Sequence, residues 1–304
     1  MKGERHITKL IALVYLLLLV VALVMPSVLA DGTDDNLTAT VTIGNDPPAI
    51  GEVTCNSSSF TPIAESTILL NCTATVSDPN GYQDLGGIRA EFYNDSRGAD
   101  ANYTIHYYND TCSFTQNGTT STNSTVECLF TIYYHANPAD WTMYFNVTDK
   151  NGETGNNTET ITIQSLTALN VTHTEINFGS LDLGETSDQQ NTTIKNTGNV
   201  ELDIRINESL NGGNMTCDGI GSDNINTSAA TTGVRYNTTN SFNFDDTSWK
   251  LTSGNDLIDV NWSKSYDGAS SAPPEYNMHW LIKIPSSGIS GTCTTTTRIS
   301  ATAS

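Results

Sequence analysis

Between Ile68 and Val147 the chain holds short runs in which apolar residues recur at every second position. Ile68, Leu70, Cys72, Ala74 and Val76 point one way while Leu69, Asn71, Thr73 and Thr75 point the other. Ile88, Ala90 and Phe92 alternate with Arg89, Glu91 and Tyr93, and Trp141, Met143, Phe145 and Val147 form one face of a later run. A side-chain period of two belongs to a strand that buries one face; a helix repeats near every 3.6 residues. Tyr103–Tyr108, Val126–Tyr133 and Ile161 with Ile163 add further short runs, each bounded by Gly, Pro, Asn or Asp. Nothing after the first thirty residues sustains a helical repeat, so the expected class is all-β, built as a sandwich.

Residues 50–165 hold these runs and form the first expected sandwich; residues 166–304 form the second. The second opens with Ile176-Asn-Phe-Gly179 and Leu181-Asp-Leu-Gly184, and continues through Thr193–Asn199, a run Leu202–Ile206 and a turn at Asn211–Asn214. Cys217–Tyr236 reads mostly as loop. Tyr276, Met278, Trp280, Ile282 and Ile284 make its clearest strand, and Pro285–Gly291 turns into a last strand ending near Ala301.

Lys2, Arg5 and Lys9 flank an unbroken apolar run from Leu10 to Met25, followed by Val28-Leu29-Ala30 and Asp31. That is the pattern of a signal peptide over residues 1–30, cleaved after Ala30. An uncleaved N-terminal anchor and a pilin-type processing site at Lys2-Gly3 are the alternatives. Cleavage would leave the mature chain without a transmembrane segment. Residues 31–49 form a polar tail with one strand, Leu37–Ile43, that has no evident partner.

Seventeen Asn-X-Ser/Thr sequons follow the leader, at Asn36, Asn56, Asn71, Asn94, Asn102, Asn109, Asn117, Asn123, Asn146, Asn156, Asn170, Asn191, Asn207, Asn214, Asn226, Asn237 and Asn261. A glycan is bulky and hydrophilic, so each acceptor on an exported chain must face solvent. Asn71, Asn146 and Asn207 fall out of phase with the apolar faces of their strands, and a one-residue slip would bury all three.

With 13 basic against 33 acidic side chains the net charge is −20, which repels nucleic acid and anionic lipid. The six cysteines are an even number without metal-ligand spacing. Their order suggests pairing of Cys55 with Cys72, Cys112 with Cys128, and Cys217 with Cys293, as in an oxidising compartment.

Val76-Ser-Asp-Pro-Asn-Gly-Tyr-Gln-Asp84 with the Ile88 strand, and Trp141–Val147 with Thr148-Asp-Lys-Asn-Gly152, resemble the immunoglobulin-like sandwiches repeated in prokaryotic, especially archaeal, surface proteins. Ile176-Asn-Phe-Gly, Leu183-Gly and Asn196-Thr-Gly-Asn199 are similar to a sandwich module of extracellular anchor proteins, and the Trp280–Gly291 stretch to the last hairpin of archaeal envelope proteins. The likeness implies fold and location, not function. It departs from antibody-type domains, because the Trp141 strand carries no cysteine.

Asp78, Asn80 and Asp84 lie in one turn-forming run and offer oxygens to a calcium ion, with Asp149 and Asn151 from a second turn. Pro-Asn-Gly also explains itself as a plain turn. His135 near Asp140, or His106 near Asp110, offers a base–orienter pair, but no activated nucleophile accompanies either; with His173 and His279 they read as surface histidines. Tyr93, Tyr103, Tyr107, Tyr108, Tyr133, Tyr134 and Tyr144 read as a cross-strand ladder, with a sugar-stacking platform as the alternative. The expected protein is a non-catalytic, cofactor-free, secreted surface glycoprotein, structural or adhesive. Its partners would be other envelope proteins, glycans or copies of itself. The alternatives are a filament subunit that donates its Leu37–Ile43 strand and a carbohydrate- or protein-binding module.

Overall fold

The computed structural model describes residues 38–95, 102–116, 122–207, 212–221, 223–245, 249–251, 256–264 and 272–304. The leader, Leu37 and the sequon asparagines Asn36 and Asn117 lie outside them. The chain separates into one unit over Met1–Gly44 and another over Asn45–Ser304. In the first, residues 38–43 form no strand, contrary to expectation, and Val41 and Ile43 are exposed. A strand with no ladder partner leaves both backbone edges unsatisfied and does not stand alone.

The strands of the second unit run, in chain order, β1 Ala49–Cys55, β2 Ser59–Phe60, β3 Thr67–Ser77, β4 Leu85–Tyr93, β5 His106–Asn109, β6 Ser113–Gln116, β7 Asn123–Tyr133, β8 Ala139–Asp149 and β9 Thr154–Ile163. They continue as β10 Leu169–Val171, β11 Gln190–Asn196, β12 Leu202–Asn207, β13 Asn214–Cys217, β14 Ile225–Asn226 and β15 Gly233–Asn237. The last are β16 Trp249–Lys250, β17 Asp256–Trp262, β18 Glu275–Lys283, β19 Cys293–Thr294 and β20 Arg298–Ala303. Tyr82–Asp84, a single 3-10 turn, is the only helical element among the described residues.

Two sheets, β1-β3-β7-β6 and β2-β9-β8-β4-β5, enclose the first core. Period-two alternation works here as expected: Leu70, Cys72, Ala74 and Val76 of β3 and Trp141, Met143, Phe145 and Val147 of β8 are all buried. Phe92 of one sheet and Phe130 of the other meet with ring centroids 6.4 Å apart. Full burial of side chains of this size stabilises by about 1.5–3 kcal/mol each. The outward positions hold Asn71 and Asn146, half-buried between buried neighbours, and Asn207 follows the same rule after Ile206.

A second core gathers Ile194, Leu202, Ile204, Ile206, Tyr236, Met278, Trp280 and Ile282. Its sheets are β10-β11-β18-β15-β16, β17-β12-β20 and β14-β13-β19. β18 is the middle strand of its sheet, and Leu281 is buried along with Trp280 and Ile282, so the simple alternation lapses here. β15 breaks the expectation of loop between Cys217 and Tyr236. Arg235 hides its alternation: the guanidinium is buried, donates to the carbonyls of Ala229 and Ala230, and lies 4.5 Å from the centroid of Phe244.

The three disulfides pair as expected, and none of the six cysteines is free. Cys55–Cys72 and Cys217–Cys293 link residues directly opposite each other on paired strands, so these bridges brace single sheets instead of crossing between them. No helix among the described residues is long and apolar enough to cross a membrane.

Candidate metal centre

Asp78 follows the last residue of β3, Asp84 closes the helical turn, and Asp149 is the last residue of β8. Since β3 and β8 belong to opposite sheets, the three carboxylates meet at one end of the sandwich, where the chain crosses from one layer to the other. One oxygen from each lies within 4.8 Å of the others.

The local sequence builds this crossing. Asp78 Oδ1 accepts the Asn80 N–H at 2.8 Å, and the Asp78 carbonyl accepts the Gly81 N–H at 3.0 Å, folding Asp-Pro-Asn-Gly back on itself. Gly81, at φ 108°, takes a backbone conformation that side chains disfavour and leads into the helical turn. The pairing of β4 with β8 then slips between Leu85 and Gly87. A Cβ on Gly86 would stand 2.9 Å from the Asp149 carbonyl oxygen, so only glycine lets the bulge press against Asp149.

Asp149 Oδ1 accepts the N–H groups of Asn151 and Glu153, both at 2.9 Å, and Oδ2 accepts the Asn45 side-chain amide at 2.7 Å. That amide holds the Asp149 carboxyl below the usual carboxylate range. Asp78 goes the other way. Burial raises its pKa first, and the negative charges of Asp84 and Asp149 add to the rise. Its Oδ2 is buried and has no hydrogen-bond partner among the described residues. Lys150 gives these carboxylates no ion pair among the described residues; its ammonium donates to the Gln83 carbonyl.

Of the sequence-derived set, Asp78, Asp84 and Asp149 come together. Asn80 stands beside them with its side-chain oxygen accepting the Asp46 N–H at 2.8 Å. Asn151 donates to Asn45 Oδ1 at 2.7 Å and, more weakly, to Asp84 Oδ2 at 3.4 Å. Asn45 was missed, because nothing in Asn-Asp-Pro-Pro marks it as anything but a turn.

The histidines depart from the surface reading. His106 is buried and meets Glu91 at 3.3 Å, not Asp110, while Glu91 also pairs with Arg89 at 2.7 Å. β5 pairs along the edge of β4, and His106 and Glu91 are buried side by side on the two strands. His135 is fully buried, stacks on Tyr133 at 5.5 Å and meets Tyr134 edge-on; neither ring nitrogen has a hydrogen-bond partner among the described residues. Burial and the neighbouring Lys264 lower its pKa. His279 is buried with Nδ1 2.6 Å from Asn191 Oδ1. His173 is exposed, as expected.

Tyr103, Tyr107 and Tyr133 join Trp141 in one aromatic cluster, and the Tyr107 hydroxyl accepts the Tyr133 N–H at 3.0 Å. Tyr134 is buried too, and its hydroxyl is pushed up to about 12 by burial. Tyr108 is more open, with the Arg89 guanidinium 4.5 Å from its centroid. The ladder reading fits this packing.

No protein-family model matches the chain, and no curated protein does. Among solved structures, a chaperone–tip adhesin complex of CFA/I fimbriae biogenesis aligns over 85% of this chain and 84% of its own, at 12% identity and TM-score 0.31. A carbohydrate-binding module from the β-sandwich superfamily aligns over 86% and 98%, at 13% identity and TM-score 0.26. The C-terminal domain of the Streptococcus agalactiae AgI/II polypeptide BspA aligns over 85% and 100%, at 11% identity and TM-score 0.23. Likeness at this level assigns no function.

Proposed function

We propose that this chain is an exported, N-glycosylated, non-catalytic structural or adhesive protein of a cell surface, with two tandem immunoglobulin-like sandwiches behind a cleaved leader. One observation carries the reading. None of the described sequon asparagines is buried, whereas Asn196 and Asn199, outside any sequon, are wholly buried. Every described sequon asparagine therefore stands where solvent reaches it, as attachment of a bulky hydrophilic glycan requires. The disulfides support an oxidising compartment. Glycans and acidic groups shield the faces, and loops or a sheet edge contact envelope proteins, glycans or further copies of the chain.

Purification from the native envelope with intact-mass and glycopeptide analysis tests this. The reading expects a chain beginning at Asp31, three intact disulfides and sugar on several of the asparagines. An unmodified, reduced protein recovered from cytosol overturns it, and saturable binding of one sugar on a glycan array would replace it with a lectin.

A second reading rests on the exposed, unpaired Val41 and Ile43, whose alternating segment suits insertion into the sheet of another copy. Such head-to-tail contacts do not close and build threads. Deleting residues 31–43 should abolish threads while leaving a folded monomer; threads that persist exclude the reading.

A further inference from the structure

We propose that Asp78, Asp84 and Asp149, with the side-chain oxygen of Asn45, bind a calcium ion that pins Asn45 and Asp46 to the end of the first sandwich. The inference stands apart from the cell-surface reading, and either can fail alone.

Three carboxylates share a space 4.8 Å across, and the ion pairs among the described residues form elsewhere, at Arg89–Glu91, His106–Glu91 and Lys195–Glu275. Like charges this close repel, and the repulsion is strongest where water is excluded. Asp78 is fully buried, and its Oδ2 reaches no donor among the described residues. A buried carboxylate oxygen without a partner is costly, so it calls for a proton or a cation. The convergence of two more carboxylates on the same point favours the cation. A proton satisfies one oxygen, whereas a divalent ion offsets the mutual repulsion of all three.

The donor set selects the ion. Every group is a hard oxygen, with no imidazole or thiolate among them, which disfavours zinc and copper. Calcium takes six to eight oxygens at about 2.3–2.6 Å in flexible geometry, whereas magnesium demands a near-ideal octahedron at about 2.0–2.1 Å. Carboxylates fixed by two separate turns and gathered within 4.8 Å suit the more tolerant ion.

Asn45 supplies the coupling. Its amide now donates to Asp149 Oδ2, and turning it over puts Oδ1 in that place at no cost in shape. Asn151 can turn with it and keep their mutual hydrogen bond. The next residue, Asp46, is already held through its N–H by Asn80 of the same loop. Loading the ion therefore tightens one connected set of loops and the segment that enters them.

The test uses the full chain, freed of metal with chelator and titrated with calcium chloride by calorimetry at physiological salt, magnesium chloride being the comparison. The expected result is one saturable calcium site, weaker magnesium binding, a higher melting temperature, and slower hydrogen exchange at the Asp46 amide. Asp84→Asn should lower the affinity at least tenfold, and Asp78→Asn should abolish binding. Asp182→Asn, on an exposed loop, should change nothing. Should Asp78→Asn fail to fold, the half-exposed Asp84 decides the matter. Absence of a saturable site, or equal binding by wild type and Asp84→Asn, overturns the proposal. Binding that leaves Asp46 exchange unaltered overturns the pinning.

Discussion

Asn199 donates its side-chain amide to the carbonyl oxygen of Ala136 at 2.9 Å, fastening the turn after β11 to the connection between β7 and β8. The same amide nitrogen reaches the Gln164 carbonyl at 3.0 Å, and Oδ1 accepts the Leu166 N–H at 2.7 Å. Asn199 is fully buried, so one side chain satisfies the backbone where the chain passes from the first core to the second. Replacing it by alanine should cost about 2–4 kcal/mol, because several buried backbone groups lose partners at once. Asn199→Asp should be at least as damaging, since a carboxylate would face two carbonyl oxygens. Urea unfolding measures the loss. A change below about 0.5 kcal/mol would remove Asn199 from this role.

The disulfides should rank by loop length. Cys217–Cys293 encloses a separation of 76 residues, against 17 and 16 for the other two. In the chain-entropy model its removal by paired serine substitution costs about 4.5 kcal/mol, and removal of either short-loop bridge about 3 kcal/mol. Equilibrium unfolding of the three double variants gives the order directly.

Trp141 and Trp280 should respond differently to phenylalanine. Both are buried, but the Trp141 indole N–H donates to the Asn137 carbonyl at 2.9 Å, whereas that of Trp280 has no partner among the described residues. Trp141→Phe loses a buried hydrogen bond along with packing; Trp280→Phe loses packing but discards an unsatisfied donor. The first should cost about 1–2 kcal/mol more than the second by denaturant titration. Equal losses would contradict this account.

His135 should contribute to acid sensitivity. Burial, and secondarily Lys264, holds its native pKa below the ordinary value. As pH falls through about 6.5 the unfolded chain takes up the proton first, so stability is complete above that value and is lost below it, towards the native pKa. His279 shifts in the same direction, so the comparison must isolate one ring. Urea midpoints measured from about pH 7.5 to 5 should fall less steeply in His135→Phe than in wild type. Parallel slopes would show that His135 does not titrate on unfolding.

Without calcium the acidic cluster should be a liability. The native pKa of Asp78 is raised, so the folded chain binds a proton that the unfolded chain has released, and this contribution to stability disappears as pH rises through the native value. In chelated buffer at neutral pH, Asp84→Asn relieves like-charge repulsion and should melt above wild type. Saturating calcium should reverse that order. Differential scanning fluorimetry in the two buffers reports both signs.

The strands of the first core were legible because burial on one face writes a period of two into the residues themselves. β8 shows this in Trp141, Met143, Phe145 and Val147, and the outward Asn146 agrees with its register. Cysteine order was legible for a similar reason, since the bridges join neighbouring strands. β15 was not, because buried Arg235 interrupts its apolar signal while making its contacts with distant groups. The burial of His106 was equally hidden, resting on the pairing of β4 with β5 that brings Glu91 to it.

Alternation and sequon phase thus determined the class of fold and which way its faces turn, because each is set by neighbours in the chain. The tertiary structure alone decided where charge converges. Asn45 meets Asp149 across 104 positions, and Asp78 joins them only because β3 and β8 terminate at the same end of opposing sheets. A carboxylate's protonation and ion binding depend on every charge and dipole within a few ångströms, and chain order does not encode those distances.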